Sequence, residues 1–161
     1  MQLTKHFTLE ELTFSDAAMR HGIDNTPNDE IVENLKRLCA LILEPVRDIV
    51  HKPVQVTSGY RSPLVNSLVG SKVTSQHIRG CAADIKVQGV TPDVLIKAII
   101  GAGLPYEQVI LEFSSWIHVS VPNDPHALPK RQALIINKSG TKPYTRSEEH
   151  TSELQSPMYL V

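Results

Sequence analysis

Two histidines and an aspartate are the side chains of this sequence best suited to hold a metal ion. His77 and Asp84 lie seven residues apart, and His118 follows 34 residues after Asp84. Imidazole nitrogens and a carboxylate oxygen are typical zinc ligands. Three protein ligands leave a fourth position open for water, which favours a catalytic zinc, because structural zinc sites usually have four protein ligands. A single buried histidine is more often satisfied by hydrogen bonds than by a metal, so the prediction depends on the three residues together.

Strand and turn signals around these residues indicate how they could meet. Residues 83–87 alternate apolar and polar side chains and predict a strand that begins beside Asp84. Residues 116–121 predict another strand, in which Ile117 and Val119 face the core while His118 faces the opposite side. Gly80 allows the backbone to turn between His77 and Asp84.

Helix signals dominate the first third of the chain. Thr8 and Glu11 form a capping box that opens a short helix. Ser15 caps a second short helix, which Gly22 ends. Residues 26–27, Thr-Pro, mark the start of a long amphipathic helix, in which we expect Pro45 to cause a bend. The apolar stripe of that helix repeats at spacings of three and four, at Ile31, Leu35, Leu38, Ile42, Val46 and Ile49.

The rest of the chain is richer in strand signals. Residues 53–57 predict a strand, residues 58–76 a loop rich in Gly, Ser and Asn, and residues 91–93 the start of a helix that ends near residues 101–103. Residues 108–113 and 133–137 predict further strands. Helices come first and strands are mostly adjacent later, so we predict an α+β fold with helices packed on a small, largely antiparallel sheet.

Composition excludes several classes of protein. The formal net charge is -1, and no basic run indicates a nucleic-acid partner. No apolar stretch approaches the roughly 20 residues that a membrane span needs. The N-terminus lacks the features of a secretory signal, so we expect synthesis in the cytoplasm without a signal peptide. We also expect a monomer. Cys39 and Cys81 do not form a C-x-x-C pair, so no thiolate metal site is predicted.

We expect one domain over residues 1–140 and a tail over residues 141–161. Residues 146–156 resemble the translation of a sequencing adapter, and an ordinary polar tail is the alternative. His150 lies in this tail and is therefore not counted as a ligand.

The pattern Ser-x-His-x-x-Gly-x-Ala-x-Asp at residues 75–84, followed by Trp-Ile-His at 116–118, resembles the zinc D-alanyl-D-alanine carboxypeptidase family. That family includes VanY-like enzymes and phage endolysins, within the group that contains lysostaphin-type peptidases and the hedgehog domain. Residues 7–12 and 57–62 are also similar, and the resemblance covers roughly residues 5–138. It implies a hedgehog/DD-peptidase-like fold and a zinc ion held by His77, Asp84 and His118.

The resemblance also implies the substrate, which is the stem peptide of peptidoglycan, cut at a D-Ala-D-Ala or an L-alanyl bond. A phage or prophage endolysin that acts on the cell wall fits such an activity. The alternatives are a zinc-containing module that binds the cell wall without catalysis, and a structural zinc protein. His126 on the metal as a fourth ligand would favour the structural protein.

A zinc peptidase needs a general base, and Glu112 is the candidate because it shares strand parity with His118. Ser114 and Ser115 could interrupt that parity with a turn or bulge. Many relatives carry the base as Glu-x-x-His, a position that Ser115 occupies here, whereas a subgroup with Glu-Phe-x-x-Trp-x-His favours Glu112.

The resemblance implies that Arg61 contacts the substrate or the transition state. A fixed guanidinium can stabilise an oxyanion or bind a peptide carboxylate. Ser75, Gln76 and Trp116 are the further candidates for substrate binding, with loop turns and core packing as the alternative roles. Asn66 is predicted to stabilise the loop.

Overall fold

The computed structural model describes residues 1–145 and confirms the α+β class. Within these residues, one sheet has the strand order β1-β2-β4-β3-β5-β6. All neighbours pair antiparallel except β3 and β5, which are parallel. The strands are β1 (Gln55–Ser58), β2 (Ala82–Lys86), β3 (Gln108–Glu112), β4 (Trp116–Ser120), β5 (Gln132–Asn137) and β6 (Gly140–Pro143). The adapter-like stretch at 146–156 and His150 lie outside the described residues.

Helices pack against the sheet and supply much of the apolar core. They are α1 (Leu9–Thr13), α2 (Asp16–Arg20), α3 (Asp29–Leu38), a π-helix (Cys39–Leu43), α4 (Glu44–Val50), α5 (Pro63–Leu68), a 3-10 helix (Gln76–Arg79) and α6 (Pro92–Gly101). The capping box of α1 is present, and Ser15 caps α2 as predicted. No helix of the described part is both long enough and apolar enough to cross a membrane.

The predicted long amphipathic helix is present, but it begins later and changes its winding. Asn28, rather than the Thr-Pro pair before it, provides the N-cap, because its side chain accepts the amide N–H of Ile31. The π-helix lies between α3 and α4, where the Glu44 N–H donates to the Cys39 carbonyl. π-helical turns are rare and occur mostly as single widened turns inside α-helices, and such turns, like prolines, are sites where helices bend. Pro45 follows directly.

Two elements differ from the expectations. Residues 58–76 contain α5, which a Ser62 N-cap and Pro63 at the first helical position begin. Residues 141–143, expected in the tail, form most of β6, which extends the sheet by pairing with β5.

The N-terminal segment is fixed against the long helix and the end of β1. Glu44 accepts hydrogen bonds from the Thr4 hydroxyl at 2.6 Å and the His6 amide at 2.8 Å. At the other end of the segment, the Leu12 carbonyl accepts the Tyr60 amide N–H at 2.7 Å. This contact places α1 directly beside the residues that follow β1.

Candidate metal centre

Three elements bring His77, Asp84 and His118 together. Asp84 of β2 and His118 of β4 are direct cross-strand partners, and the 3-10 helix delivers His77 beside them. One potential ligand atom from each residue lies within 4.8 Å of the others. All three side chains are buried, whereas Ile117 and Val119 face the core as predicted.

The spacing fits a single metal ion. Asp84 Oδ1 lies 3.0 Å from His118 Nδ1 and 3.4 Å from His77 Nε2. Two ligand atoms that each lie about 2.1 Å from a tetrahedral zinc are about 3.4 Å apart. The observed distances are close to this value. Among residues 1–145 the group has three members, and His126 is exposed and outside it.

A backbone carbonyl orients the first histidine. His77 Nδ1 lies 2.7 Å from the carbonyl oxygen of Gly59. A proton on Nδ1 satisfies this contact and leaves the Nε2 lone pair directed at Asp84 and the metal position. Metal-bound histidines typically donate their other ring N–H in this way. Gly59 was not predicted to have this role; a glycine in this segment is a signal that could have pointed to it, because glycine allows a close approach of the backbone.

The charges around the site also suit a cation. Burial raises the pKa of Asp84, but hydrogen bonds with His118 and His77 outweigh burial and hold the pKa well below its usual range. Burial lowers the pKa of His77 against the opposing effect of Asp84. Asp84 is thus ionised and His77 is neutral near pH 7, and these are the protonation states that metal binding requires.

Arg61 lies at the edge of this group and is held from several sides. Its Nε donates to Ser58 Oγ at 3.2 Å, and its Nη1 donates to Asn66 Oδ1 at 3.3 Å and Ser71 Oγ at 3.2 Å. Its Nη2 lies 3.7 Å from Asp84 Oδ2. Burial lowers the pKa of Arg61, although a guanidinium keeps its charge at any ordinary pH.

The buried Asn66 holds the loop around that guanidinium. Its amide donates to the carbonyls of Ser71 and Lys72 while its oxygen accepts from Arg61. The expectation that Asn66 stabilises the loop is confirmed. The contacts of Ser58 and Ser71 with Arg61 carried no local sequence signal.

Glu112 is on the same face of the sheet as the metal ligands. Ile110 is the cross-strand partner of His118, and Glu112 follows Ile110 by two residues. Burial and the charge of Asp84 raise the pKa of Glu112, and the opposing effects of His118, Trp116 and Arg61 are smaller. The predicted turn is present at Phe113–Ser115, but it lies beyond the end of β3 and leaves this parity intact.

The remaining predicted residues are placed as follows. Ser75 Oγ accepts the His77 amide N–H at 3.3 Å and so caps the 3-10 helix. Gln76 Nε2 donates to the Val121 carbonyl at 2.8 Å and to Asn123 Oδ1 at 2.9 Å. Trp116 is half-buried beside Glu112. Substrate binding by Ser75, Gln76 and Trp116 stays a prediction.

Comparison with known proteins adds one finding. A family model described as Peptidase M15 matches residues 5–120. The match includes the three residues of the metal group together with Arg61 and Glu112. No curated protein matches the chain.

Proposed function

Because the chain belongs to the peptidase M15 family, which comprises zinc D-alanyl-D-alanine carboxypeptidases and VanY-like enzymes, we propose that it hydrolyses the stem peptides of peptidoglycan. The family is zinc-dependent, and membership makes the chain a metallopeptidase. One observation carries the proposal. The buried His77–Asp84–His118 group, whose ligand atoms lie within 4.8 Å of one another, is on the same face of the sheet as the Glu112 carboxyl, whose pKa is raised.

His77, Asp84 and His118 would hold the zinc. When bound, zinc supplies a Lewis acid that activates a water molecule and polarises the peptide carbonyl. Glu112 accepts the proton from the attacking water and then delivers it to the leaving nitrogen. A carboxyl with a raised pKa suits this exchange, because a general base works best when its pKa lies near the operating pH.

Arg61 provides a positive charge that stabilises negative charge on the substrate. Its contacts with Ser58, Asn66 and Ser71 fix the guanidinium before substrate arrives, so little reorganisation is needed as charge develops on the carbonyl oxygen. The same group could instead bind a C-terminal carboxylate with two parallel hydrogen bonds. The first role suits an L-alanyl endopeptidase, and the second suits a D-Ala-D-Ala carboxypeptidase.

Muropeptide mass analysis tests this proposal. Zinc-loaded enzyme should release peptide fragments from purified peptidoglycan, whereas enzyme treated with a chelator should release none until zinc is restored. Release of a single D-alanine indicates carboxypeptidase action, and release of longer fragments indicates endopeptidase action. The Glu112→Ala and Arg61→Ala variants should lose hydrolysis while they retain zinc.

Glu33→Ala is the matched control, because Glu33 is exposed and its ion pair within residues 1–145 is with Lys36, one helical turn away. This variant should cleave at the wild-type rate. Unchanged hydrolysis in both Glu112→Ala and Arg61→Ala would show that the assigned mechanism is wrong.

A non-catalytic zinc module that binds the cell wall is the second candidate. It is favoured by Ser115, which occupies the position where many relatives carry the base. Such a module would sediment with peptidoglycan without releasing any fragment. For the enzyme we propose a monomer that is encoded by a phage or prophage, and the support is the resemblance to phage endolysins.

A further inference from the structure

Glu112 and Trp116 close the hairpin that leads into the metal group. They are direct cross-strand partners at the end of β3 and the start of β4. Side chains of such partners project from the same face of the sheet and lie close together. Because Ile110 and His118 are the next pair on this face, the indole and the carboxyl are both directed to the side of the sheet that holds the metal ligands.

The indole nitrogen of Trp116 is an unusual polar atom in this structure. Trp116 Nε1 is buried and has no acceptor in hydrogen-bond geometry among residues 1–145. A buried N–H without a partner is destabilising and calls for an explanation. A substrate cannot easily approach an atom that is shielded from solvent. The Glu112 carboxyl, on the opposite strand, is close enough for the indole N–H to lower its pKa.

The turn between them keeps the pair in place. The Ser115 amide donates to the Glu112 carbonyl at 2.9 Å, and the Phe113 amide donates to the Ile136 carbonyl of β5 at 2.8 Å. Phe113 and Ser114 have positive φ angles of 52° and 53°, and residues other than glycine adopt such angles at a cost in conformational energy. The Phe113 ring packs on the Trp116 ring with centroids 5.8 Å apart.

We propose that Trp116 is a positioning residue, whose indole N–H holds the Glu112 carboxylate in the orientation from which it accepts a proton. This role replaces direct substrate binding by Trp116, and it rests on the proposed function of Glu112 as the general base. Because Glu112 and Trp116 are direct cross-strand partners, rotation of the Glu112 side chain would bring its carboxyl to the indole N–H. The strained turn and the Phe113 ring keep the indole from moving away.

The first test separates positioning from substrate contact. Trp116→Phe keeps an aromatic ring against Phe113 and removes the N–H donor. If Trp116 positions Glu112, kcat should fall about 10- to 100-fold, since a misplaced catalytic group costs rates of this order, and KM should stay unchanged. A raised KM with an unchanged kcat would overturn the proposal and favour substrate binding. In a Glu112→Ala background, Trp116→Phe should cause no further loss.

The second test does not depend on activity. Trp116 is the sole tryptophan of the chain, so its fluorescence reports this site alone. In the zinc-loaded protein, Glu112→Gln should change the emission maximum or intensity, whereas Glu33→Gln should leave both as in the wild type. Identical spectra for Glu112→Gln and the wild type would overturn the proposal even if Trp116→Phe failed to fold.

The two tests also keep the proposals apart. If Glu112→Ala still hydrolyses peptidoglycan, the proposed function of Glu112 fails. If Glu112→Ala is inactive and Trp116→Phe has the wild-type kcat, only the positioning role of Trp116 fails.

Discussion

Substitution of Gly59 by alanine should weaken zinc binding although Gly59 is not a ligand. A Cβ at this position would lie 2.2 Å from the Leu12 carbonyl oxygen and 2.9 Å from the Leu12 carbonyl carbon. Both obstacles are backbone atoms, and the same Leu12 oxygen already accepts the Tyr60 amide N–H at 2.7 Å. Rotation of a side chain therefore cannot relieve the clash. The backbone at Gly59 or Leu12 must move by about 1 Å to restore an ordinary contact distance.

Such a shift acts on the metal group through His77. The Gly59 carbonyl that fixes His77 Nδ1 at 2.7 Å moves together with its own Cα, so the hydrogen bond lengthens and the ring loses its fixed orientation. Loss of a partner that orients a metal ligand typically lowers metal affinity about 10- to 100-fold. Overpacking adds a loss of about 1–3 kcal/mol in the free energy of unfolding.

Two measurements check this prediction. Zinc affinity is measured by competition with a chromogenic chelator, and the free energy of unfolding of the chelated protein is measured by urea denaturation. Gly101→Ala is the matched control, because among residues 1–145 nothing beyond its chain neighbours and its own helix backbone lies within 4 Å of the added Cβ, and its backbone conformation is open to alanine. That control should bind zinc normally and be as stable as the wild type or more so. Wild-type affinity and stability in Gly59→Ala would refute the reasoning.

Three further predictions concern the residues around the metal ligands. Asn66→Ala removes three hydrogen bonds of a buried side chain and should lower the free energy of unfolding by about 1–3 kcal/mol in urea denaturation, with kcat/KM lowered as the Arg61 guanidinium loses an acceptor. Arg61→Lys cannot reproduce the forked contacts of the guanidinium, so kcat/KM for stem peptides should fall about 100-fold while zinc affinity stays within a factor of about three. Glu112→Gln should raise the thermal stability of the chelated protein at pH 7, because burial raises the pKa of Glu112 and the fold therefore pays for its ionisation. The folded state binds the Glu112 proton more tightly than the unfolded state. The stability advantage of Glu112→Gln should therefore be absent below about pH 4, grow as pH rises through the raised pKa, and then stay constant. An advantage that grows toward acidic pH would contradict the assignment.

Local sequence patterns were sufficient to predict the parts of the site that depend on strand parity. The period of two places His118 opposite Ile117 and Val119, and it places Glu112 on the same face as His118. The structure agrees at each position. What parity cannot specify is register, and the direct pairing of Asp84 with His118 follows only when β2 and β4 are aligned along their whole length.

Other features could not be predicted because they depend on contacts between distant segments. The Gly59 carbonyl contacts His77 where the segment after β1 packs against the 3-10 helix, and there the Arg61 amide N–H donates to the His77 carbonyl at 3.1 Å. Strand β6 is exposed throughout and has no apolar alternation, so its pairing with β5 left no pattern in the sequence. Helix α5 was missed for a different reason: the Ser-Pro start signal at 62–63 was present, but the surrounding Gly, Ser and Asn residues favoured a loop.

The three metal ligands differ in how rigidly the fold holds them. Asp84 and His118 are on β2 and β4, which both have a hydrogen-bonded strand on either side, so neither residue can move without disturbing the sheet. His77 is on a four-residue 3-10 helix with no such neighbours. Its position depends on separate contacts, which include the Gly59 carbonyl, the Arg61 amide N–H that donates to the His77 carbonyl, the Ser75 cap and the Gln76 amide bonded to Val121. Each change at one of these contacts should therefore lower metal affinity by its own separate amount. Changes in β2 or β4 should affect metal affinity and global stability together.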